Sequence, residues 1–574
     1  MTDELELRVR RLALTNALEH EGSARPGPVL ARLLATDPAL RPRSGELGSL
    51  VARVVAEVGA LSAESRAGEL ARLGGPAANE RPAGTDRPEL PPLPGAIPGS
   101  VVLRLAPFPN GALHIGSARM LYVNDEYRRR YAGKLYLVFD DTIGSAEKRV
   151  DPAMFDIIRH DLDIAGVPPD EVYYKSDRIP RFYPWARRVI DRGGAYVCVC
   201  PAERLRENRE ASRACPERSQ SLEATVEGWE RMLAGGYAPG EAVLRLRTDL
   251  ADPDPAFRDR VLMRVSDLDH PRVGRKYRVW PMLEFSWAVD DVELGVTHVL
   301  RGKDLVVEDR MEEFIWRLLG IQGPPFLHWG LLRVREAKIS KSKSVAEVRS
   351  GEFDGWADPR TWSIDSLERR GIHPEALRRF TLSFGLSLSD IEVPAETLYA
   401  ENRQLIDAVT PRRAFVPDPV RLEVEGAPLL EPLELANHPD HPELGIRSVT
   451  ASGPYWLPRA ELVRHVGAEI RLKDLLNVRL PAEPPEGGSG AVVSAQFTTL
   501  ANKKLPRIQW VAESGAVAVD MLGLDGTHRS GRGERALRDS TAGQSFQFER
   551  VGFVRVESNR TPGEEPVRVC FGHP

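Results

Sequence analysis

The segment Val101–Arg119, VVLRLAPFPNGALHIGSAR, constrains the fold of this chain more than any other stretch. An apolar run that reads as a buried strand breaks at Pro107, Pro109 and Gly111, then restarts as a helix at about His114. Strand, tight loop and helix N-terminus in that order present backbone N–H groups and a positive dipole end to an anion. The helix carries Arg119 and Tyr122, continues through NDEYRRRYA and stops at Gly133, which reads as its C-cap. A second apolar run, KLYLVF, follows and ends in Asp140 and Asp141. A βαβ unit with polar residues at its strand ends is a nucleotide-site candidate. Taken alone, the stretch fits any parallel α/β domain equally well.

A distant segment, Lys338-Ile-Ser-Lys341-Ser342, shifts that balance. Two lysines three apart with small hydroxyl residues between them suit a loop that lays ammonium groups on a phosphate chain as its charge redistributes. By itself the segment is an ordinary solvated basic loop. HIGS (His114 to Ser117) together with KISKS resembles the two signatures of class I aminoacyl-tRNA synthetases, HIGH and KMSKS.

At 574 residues the chain is too long for one core, so several domains are expected. No apolar run reaches the twenty or so residues of a membrane span, and MTDELELRVRR lacks a signal-peptide pattern, which places the protein in the cytoplasm. The net charge of −5 marks no strongly basic nucleic-acid binder, although a local positive face is enough to hold RNA. Of four cysteines, Cys198, Cys200 and Cys215 cluster and Cys570 is remote, the pattern of a reduced compartment and a local metal site rather than a disulfide framework.

In chain order, residues 1–73 show helical spacing, as in LVARVVAEVGAL, and form a helical module. Residues 74–100, dense in Pro and Gly, read as a linker. Strands and helices alternate over 101–195, including EVYYKSD and RFYPWARRVIDRGG. A less regular insertion occupies 196–270, holding YVCVC, a charged helical stretch around ERLRENREASRA, and AVLRLRT as a strand. The nucleotide-fold pattern resumes over 271–345, where VTHVL delivers Arg301, Lys303 and Asp304 at a strand end and EDRMEEFIWRLLG is an amphipathic helix. Residues 346–410 connect, with Ser366–Gly385 helical, and 411–574 carry many short alternating strands that suggest one or two small β-barrels.

Over essentially its full length the chain resembles glutamyl-tRNA synthetases of the archaeal and eukaryotic type. The resemblance rests on LPPLPGAIPGSVVLRLAPFPNGALHIG, FDDT, YYKSDR, KYRVWP, DDVELGVTHVLRG, SKSK, RRGIHPEAL, IQWV and FQFERVGFVR. It implies a Rossmann-like catalytic domain with an inserted acceptor-stem-binding domain, a helical module and C-terminal β-barrel anticodon-binding domains. The implied activity is ATP-dependent activation of glutamate as an adenylate and its transfer to the 3′ end of tRNA. ATP with Mg2+, tRNA and the amino acid are the implied partners, with no membrane and a monomeric state.

By the same resemblance Arg104, Asp140 and Arg301 contact the amino acid, the arginine forks suiting a carboxylate and Asp140 the ammonium. Pro107, Gly111, His114, Gly116, Ser117, Lys338 and Lys341 line the ATP site, with His114, Lys338 and Lys341 as the catalytic set. Asp141 and Thr142 shape the turn. The chain departs from the family pattern at Ser117, Val138, Leu283, Glu284, Trp287 and Leu305, around the two pockets. Those departures leave open a paralogue of altered amino-acid choice that feeds a biosynthetic pathway, and an inactive tRNA-binding protein; both retained lysines argue against the latter. Cys198, Cys200 and Cys215 offer three thiolates to a tetrahedral zinc, with Glu217 where the related pattern has histidine, and three buried free thiols are the alternative.

Overall fold

The computed structural model describes residues 2–19, 24–36, 44–73, 89–142, 149–337, 341–483 and 491–574. They form two compact units, Met1–Glu89 and Leu90–Pro574.

The first unit consists of α1 (Thr2–Glu19), α2 (Pro26–Thr36), α3 (Ser44–Gly59) and α4 (Ala63–Arg72). Val51, Val54, Val55 and Val58 recur at helical spacing along α3 and close a core with Val9, Leu14, Val29 and Leu33. Each such side chain contributes about 1.5–3 kcal/mol when fully buried. Arg10 on α1 pairs with Glu57 at 2.6 Å and with Glu69 at 2.5 Å, tying α3 and α4 to the same helix. Within the stretch read as a linker, residues 74–88 lie outside the described residues. Leu90 and Leu93 belong to the core of the second unit, where the Leu93 N–H donates to the Tyr131 hydroxyl at 3.0 Å.

The second unit is built on a parallel sheet. Strands β1 (Val102–Leu105), β2 (Lys134–Phe139) and β3 (Glu171–Tyr174) pair in that order, with α5 (Ala118–Arg130) and α6 (Ala153–Ile164) as crossovers. The central strand is buried from Leu135 to Phe139, as expected when helices cover both faces. The N–H of Thr297 donates to Val102 O at 2.9 Å, which sets β8 (Val299–Gly302) and its parallel partner β9 (Phe326–Trp329) beside β1. The helix α5 ends at Arg130, three residues before Gly133, and Ala132 takes the left-handed conformation at φ 47°. Gly133 serves a close approach instead, since a Cβ there would stand 2.4 Å from Val101 O.

Between β3 and β8 run α7 (Ile179–Asp191), β4 (Ala195–Cys198), α8 (Ala202–Glu210), α9 (Leu222–Leu233), β5 (Val243–Leu246), β6 (Val261–Val265), β7 (Val279–Pro281) and α10 (Leu283–Glu293). The four strands β4 to β7 form an antiparallel sheet in sequence order. Its apolar face, with Met263 and Trp280, packs on α7, α9 (through Trp229), α10 and α11 (Val306–Leu319) in one core.

After β9 come β10 (Leu332–Val334), α12 (Lys341–Ser350), α13 (Ile364–Arg369), α14 (Pro374–Leu382), β11 (Ile391–Val393) and α15 (Glu396–Ile406). The helical stretch expected over 366–385 is therefore two helices, broken at Gly371, whose φ of 80° favours glycine. Beyond α15 lie two seven-stranded sheets. One contains Arg412–Arg413 and Phe415–Pro417 as its opposite edges, separated in sequence only by Ala414, so the sheet curls back on itself. The other likewise has Arg507–Ile508 and Val511–Ala512 at its two edges. Both are barrel-like, as the spacing of the short strands predicts.

Candidate functional site

The loop after β1 is held from three sides. The N–H of Asp140 donates to Pro107 O at 3.1 Å, that of Ile115 to Trp362 O at 3.0 Å and that of Ile364 to Leu113 O at 2.9 Å. From below, the Leu113 N–H donates to a carboxylate oxygen of Asp161 on α6 at 2.7 Å. The helix begins later than the sequence suggests, with a short 3-10 turn over Ile115–Ser117 before α5. His114 stands just ahead of it in extended conformation, and its Nδ1 accepts the Gly116 N–H at 3.0 Å. That bond places the proton of a neutral imidazole on Nε2, which makes Nε2 a donor. A Cβ at Gly116 would lie 2.7 Å from His114 Cε1, so the cap needs glycine there.

His114 and Gly116 line a cavity of about 420 Å³ with Arg119, Trp329, Gly330 and Ala337. Arg119 is buried and supports the wall, donating to Gly330 O at 2.9 Å and to Gly385 O. Pro107 and Gly111 are buried in the loop, and Ser117 ends the 3-10 turn without a side-chain capping bond. Ala337 leads directly into KISKS. Lys338 lies outside the described residues, and of Lys341 only the backbone at the start of α12 is described.

Deeper in, the three residues assigned to the amino acid are each engaged within the protein. Arg104, 5% exposed on β1, forms a two-pronged pair with Asp291 on α10, one contact at 2.8 Å, and its guanidinium carbon lies 3.6 Å from the centre of the Trp287 ring. Asp140 accepts the Thr142 hydroxyl at 3.3 Å and pairs at 3.3 Å with the ammonium of Lys175. Arg301, 6% exposed, pairs with Asp309, its Nε at 2.7 Å, and with Glu312 at 2.9 Å. Burial pushes Lys175 down from the usual lysine range, against the pull of Asp140 and Asp290. Burial likewise pushes Glu312 up, against Arg301. Asp141 takes the turn-shaping part, receiving the Ser176 N–H at 2.9 Å and the Ser176 hydroxyl at 2.6 Å.

Lys175 and Asp291 carry as much of this arrangement as the residues singled out by motif. The strand register brings Lys175 in: Phe139 stands against Tyr174 in the parallel pair, so the residues that follow, Asp140 and Lys175, emerge side by side. Three of the departures, Val138, Leu283 and Trp287, pack into one apolar cluster with Tyr136 and Tyr173. Glu284 points elsewhere, pairing with Arg260, and Leu305 sits at the start of α11 without a side-chain cap.

In the inserted domain the ligand atoms of Cys198, Cys200, Cys215 and Glu217 all lie within 4.8 Å of one another. A tetrahedral zinc with bonds of about 2.3 Å needs ligand separations of about 3.8 Å, so a small contraction would close the set. All three thiols are buried, and Arg245 donates to Cys215 Sγ at 3.0 Å. Burial pushes Cys198 and Cys200 up; at Cys215 burial is outweighed by the Asn208 hydrogen bond and the Arg245 charge, which hold it down. Three thiolates and a carboxylate around a divalent ion leave two negative charges, which Arg245 partly offsets, so the residues fit the ion.

A parallel sheet with a histidine-capped helix start and a cavity at the carboxyl ends of its strands is the arrangement of a nucleotide-site candidate in an α/β fold. Comparison with known proteins narrows the class. Residues 100–408 match the catalytic domain of tRNA synthetases class I (E and Q), and residues 410–498 and 507–557 match the anti-codon binding domain of the same family. The chain belongs to that family. It is 39% identical to a glutamate–tRNA ligase of Methanopyrus kandleri, covering 100% of both chains. To that of Pyrococcus abyssi it is 39% identical over 99% of each. A crystal structure of the glutamate–tRNA synthetase from Elizabethkingia anophelis aligns with a TM-score of 0.40 at 19% identity, over 54% of this chain and 71% of the other.

Proposed function

We propose that this protein is a cytoplasmic, monomeric glutamate–tRNA ligase. In the first step a carboxylate oxygen of glutamate attacks the α-phosphorus of ATP, bound with Mg2+, and pyrophosphate leaves. In the second, the terminal ribose hydroxyl of tRNA attacks the acyl carbon of the adenylate and AMP leaves. The observation that carries the reading is the His114-capped helix start at the mouth of the cavity leading to KISKS, in a chain related over its full length to glutamate–tRNA ligases.

Within this reading His114 donates from Nε2 to the phosphates, at the positive end of the helix dipole. Lys338 and Lys341 neutralise the charge that builds on the phosphates as pyrophosphate departs. Pro107, Gly111, Gly116 and Ser117 shape the ATP side, and Arg104, Asp140 and Arg301 face the amino acid. The insertion over 196–270 takes the acceptor stem, and the barrels of 411–574 take the anticodon by stacking and hydrogen bonds to splayed bases. Zinc, bound by Cys198, Cys200, Cys215 and Glu217, would tie β4 to the turn at Pro216. The test is charging of total tRNA with each amino acid in turn at saturating concentration. Glutamate is expected to be charged; charging of a different amino acid in its place refutes the assignment.

A further inference from the structure

The nucleotide side and the amino-acid side of this site differ in one respect. The first opens into a cavity, whereas at the second every group that would receive glutamate already holds an internal group of the same chemistry as the substrate. An ammonium, that of Lys175, stands on Asp140. Carboxylates stand on both arginines, Asp291 on Arg104 and Asp309 with Glu312 on Arg301. The neighbouring Arg178 is claimed by Asp290 at 2.7 Å. Between these pairs lies the indole of Trp287, 3% exposed, against Arg104 and 3.3 Å from the Lys175 Nζ. Lys175 itself is 0% exposed. Val138 and Leu283 complete the apolar wall behind the indole.

Glutamate brings two carboxylates and one ammonium. Inserted among these pairs, its side-chain carboxylate would be desolvated with the Nε and Nη2 edges of Arg104 and Arg301 already held by internal carboxylates and the Arg104 face covered by the indole, an unfavourable arrangement. Binding therefore requires that the Lys175 ammonium leave Asp140 and that the indole leave Arg104. A cation held against an aromatic face in a desolvated place is itself favourable, so both movements oppose binding.

We propose that Lys175 and Trp287 occupy the amino-acid subsite and determine how strongly it takes glutamate, Lys175 standing where the substrate ammonium binds and Trp287 covering the guanidinium of Arg104. The inference rests on the reading of this site as one that forms an aminoacyl-adenylate. Lys175 and Trp287 are then specificity-determining residues, and they act on the affinity for glutamate more than on the chemical step.

The experiment measures KM and kcat for glutamate in tRNA charging, and the rise in melting temperature on adding glutamate, for the parent, Lys175→Ser, Trp287→Ala and the double variant. The variants are expected to show a KM for glutamate lower than the parent's by about tenfold or more, with kcat changed less. Glutamate is expected to raise the melting temperature of the variants more than that of the parent. Should Trp287→Ala fail to fold, Trp287→Leu keeps the contact with Val138 and Leu283 but cannot stack on Arg104, and takes its place. An unchanged or higher KM in the variants, with charging intact, overturns the occupied subsite and leaves the ligase reading standing. If neither parent nor variants charge any amino acid while ATP still raises their melting temperature, the ligase reading fails and this inference falls with it.

Discussion

Replacing Gly116 by alanine tests the His114 cap, because the effect should depend wholly on the histidine. The added Cβ would stand 2.7 Å from His114 Cε1 and 2.9 Å from Nδ1, well inside contact distance, and beyond the adjoining backbone and neighbouring residues nothing else lies within 4 Å of it. The backbone of Gly116 has no positive φ, so the alanine itself carries no strain. The imidazole must therefore leave its position and release the Gly116 N–H. Loss of such a cap costs about 0.5–2 kcal/mol of stability. Displacement of Nε2 by about 1 Å lowers the rate by about 10²-fold. Urea unfolding of the parent, Gly116→Ala, His114→Ala and the double variant gives a thermodynamic cycle, and charging assays on the first two give the rate. Gly116→Ala is expected to be near neutral for stability in the His114→Ala background. An equal cost in both backgrounds, or full activity in Gly116→Ala, refutes the capped-histidine geometry.

Other outcomes follow from buried titrating groups and from the cysteine cluster. Burial pushes Asp161 up to about 8, against the Leu113 N–H that it accepts, so its contribution is complete below the ordinary carboxylate range and is lost as pH rises through about 8. The parent should lose on the order of 6 kcal/mol between about pH 4 and pH 8.5 through this group, and Asp161→Asn, whose amide oxygen still accepts, should not; urea midpoints against pH decide it. Burial pushes His573 down to about 4, where it stacks on Tyr399 and meets the Asn402 amide at 3.0 Å. Its contribution is present above about pH 6.5 and is lost as pH falls, by about 3 kcal/mol once pH reaches the folded value, and His573→Phe should flatten that acid limb in melting curves. Protein prepared without chelator should contain about one zinc per chain. Glu217→Ala should weaken zinc retention and lower the melting temperature; less than stoichiometric metal in the parent contradicts the site.

Much of the scaffold was legible because its signals are local. The apolar runs at 102–105 and 134–139, and the Pro and Gly that break the first of them, specify strands and a loop whatever the rest of the chain does. The barrel-like sheets were legible as a class from short alternating strands. Their curling was not, because it depends on edges that meet through Ala414 and through the Ile508–Val511 turn, pairings that no local pattern encodes. At helix ends the sequence misleads where two roles compete: Gly133 looks like a cap, but the left-handed residue is Ala132 and the glycine answers to Val101 O. The site was half legible. His114 and Gly116 belong to one short motif, whereas the Arg104–Asp291 pair joins residues 187 apart and Lys175 meets Trp287 across two different elements. That juxtaposition follows from the packing of α10 against the sheet, a tertiary fact that composition and spacing do not carry.

The central claim, that this cavity activates an amino acid with ATP, is tested most directly by ATP–pyrophosphate exchange in the presence of total tRNA, comparing the parent with Lys341→Ala. Exchange that depends on glutamate is expected in the parent, with a loss of about 10²- to 10³-fold in Lys341→Ala, the size of one missing transition-state donor. Absence of exchange with every amino acid, or a Lys341→Ala protein that exchanges as fast as the parent, would contradict it.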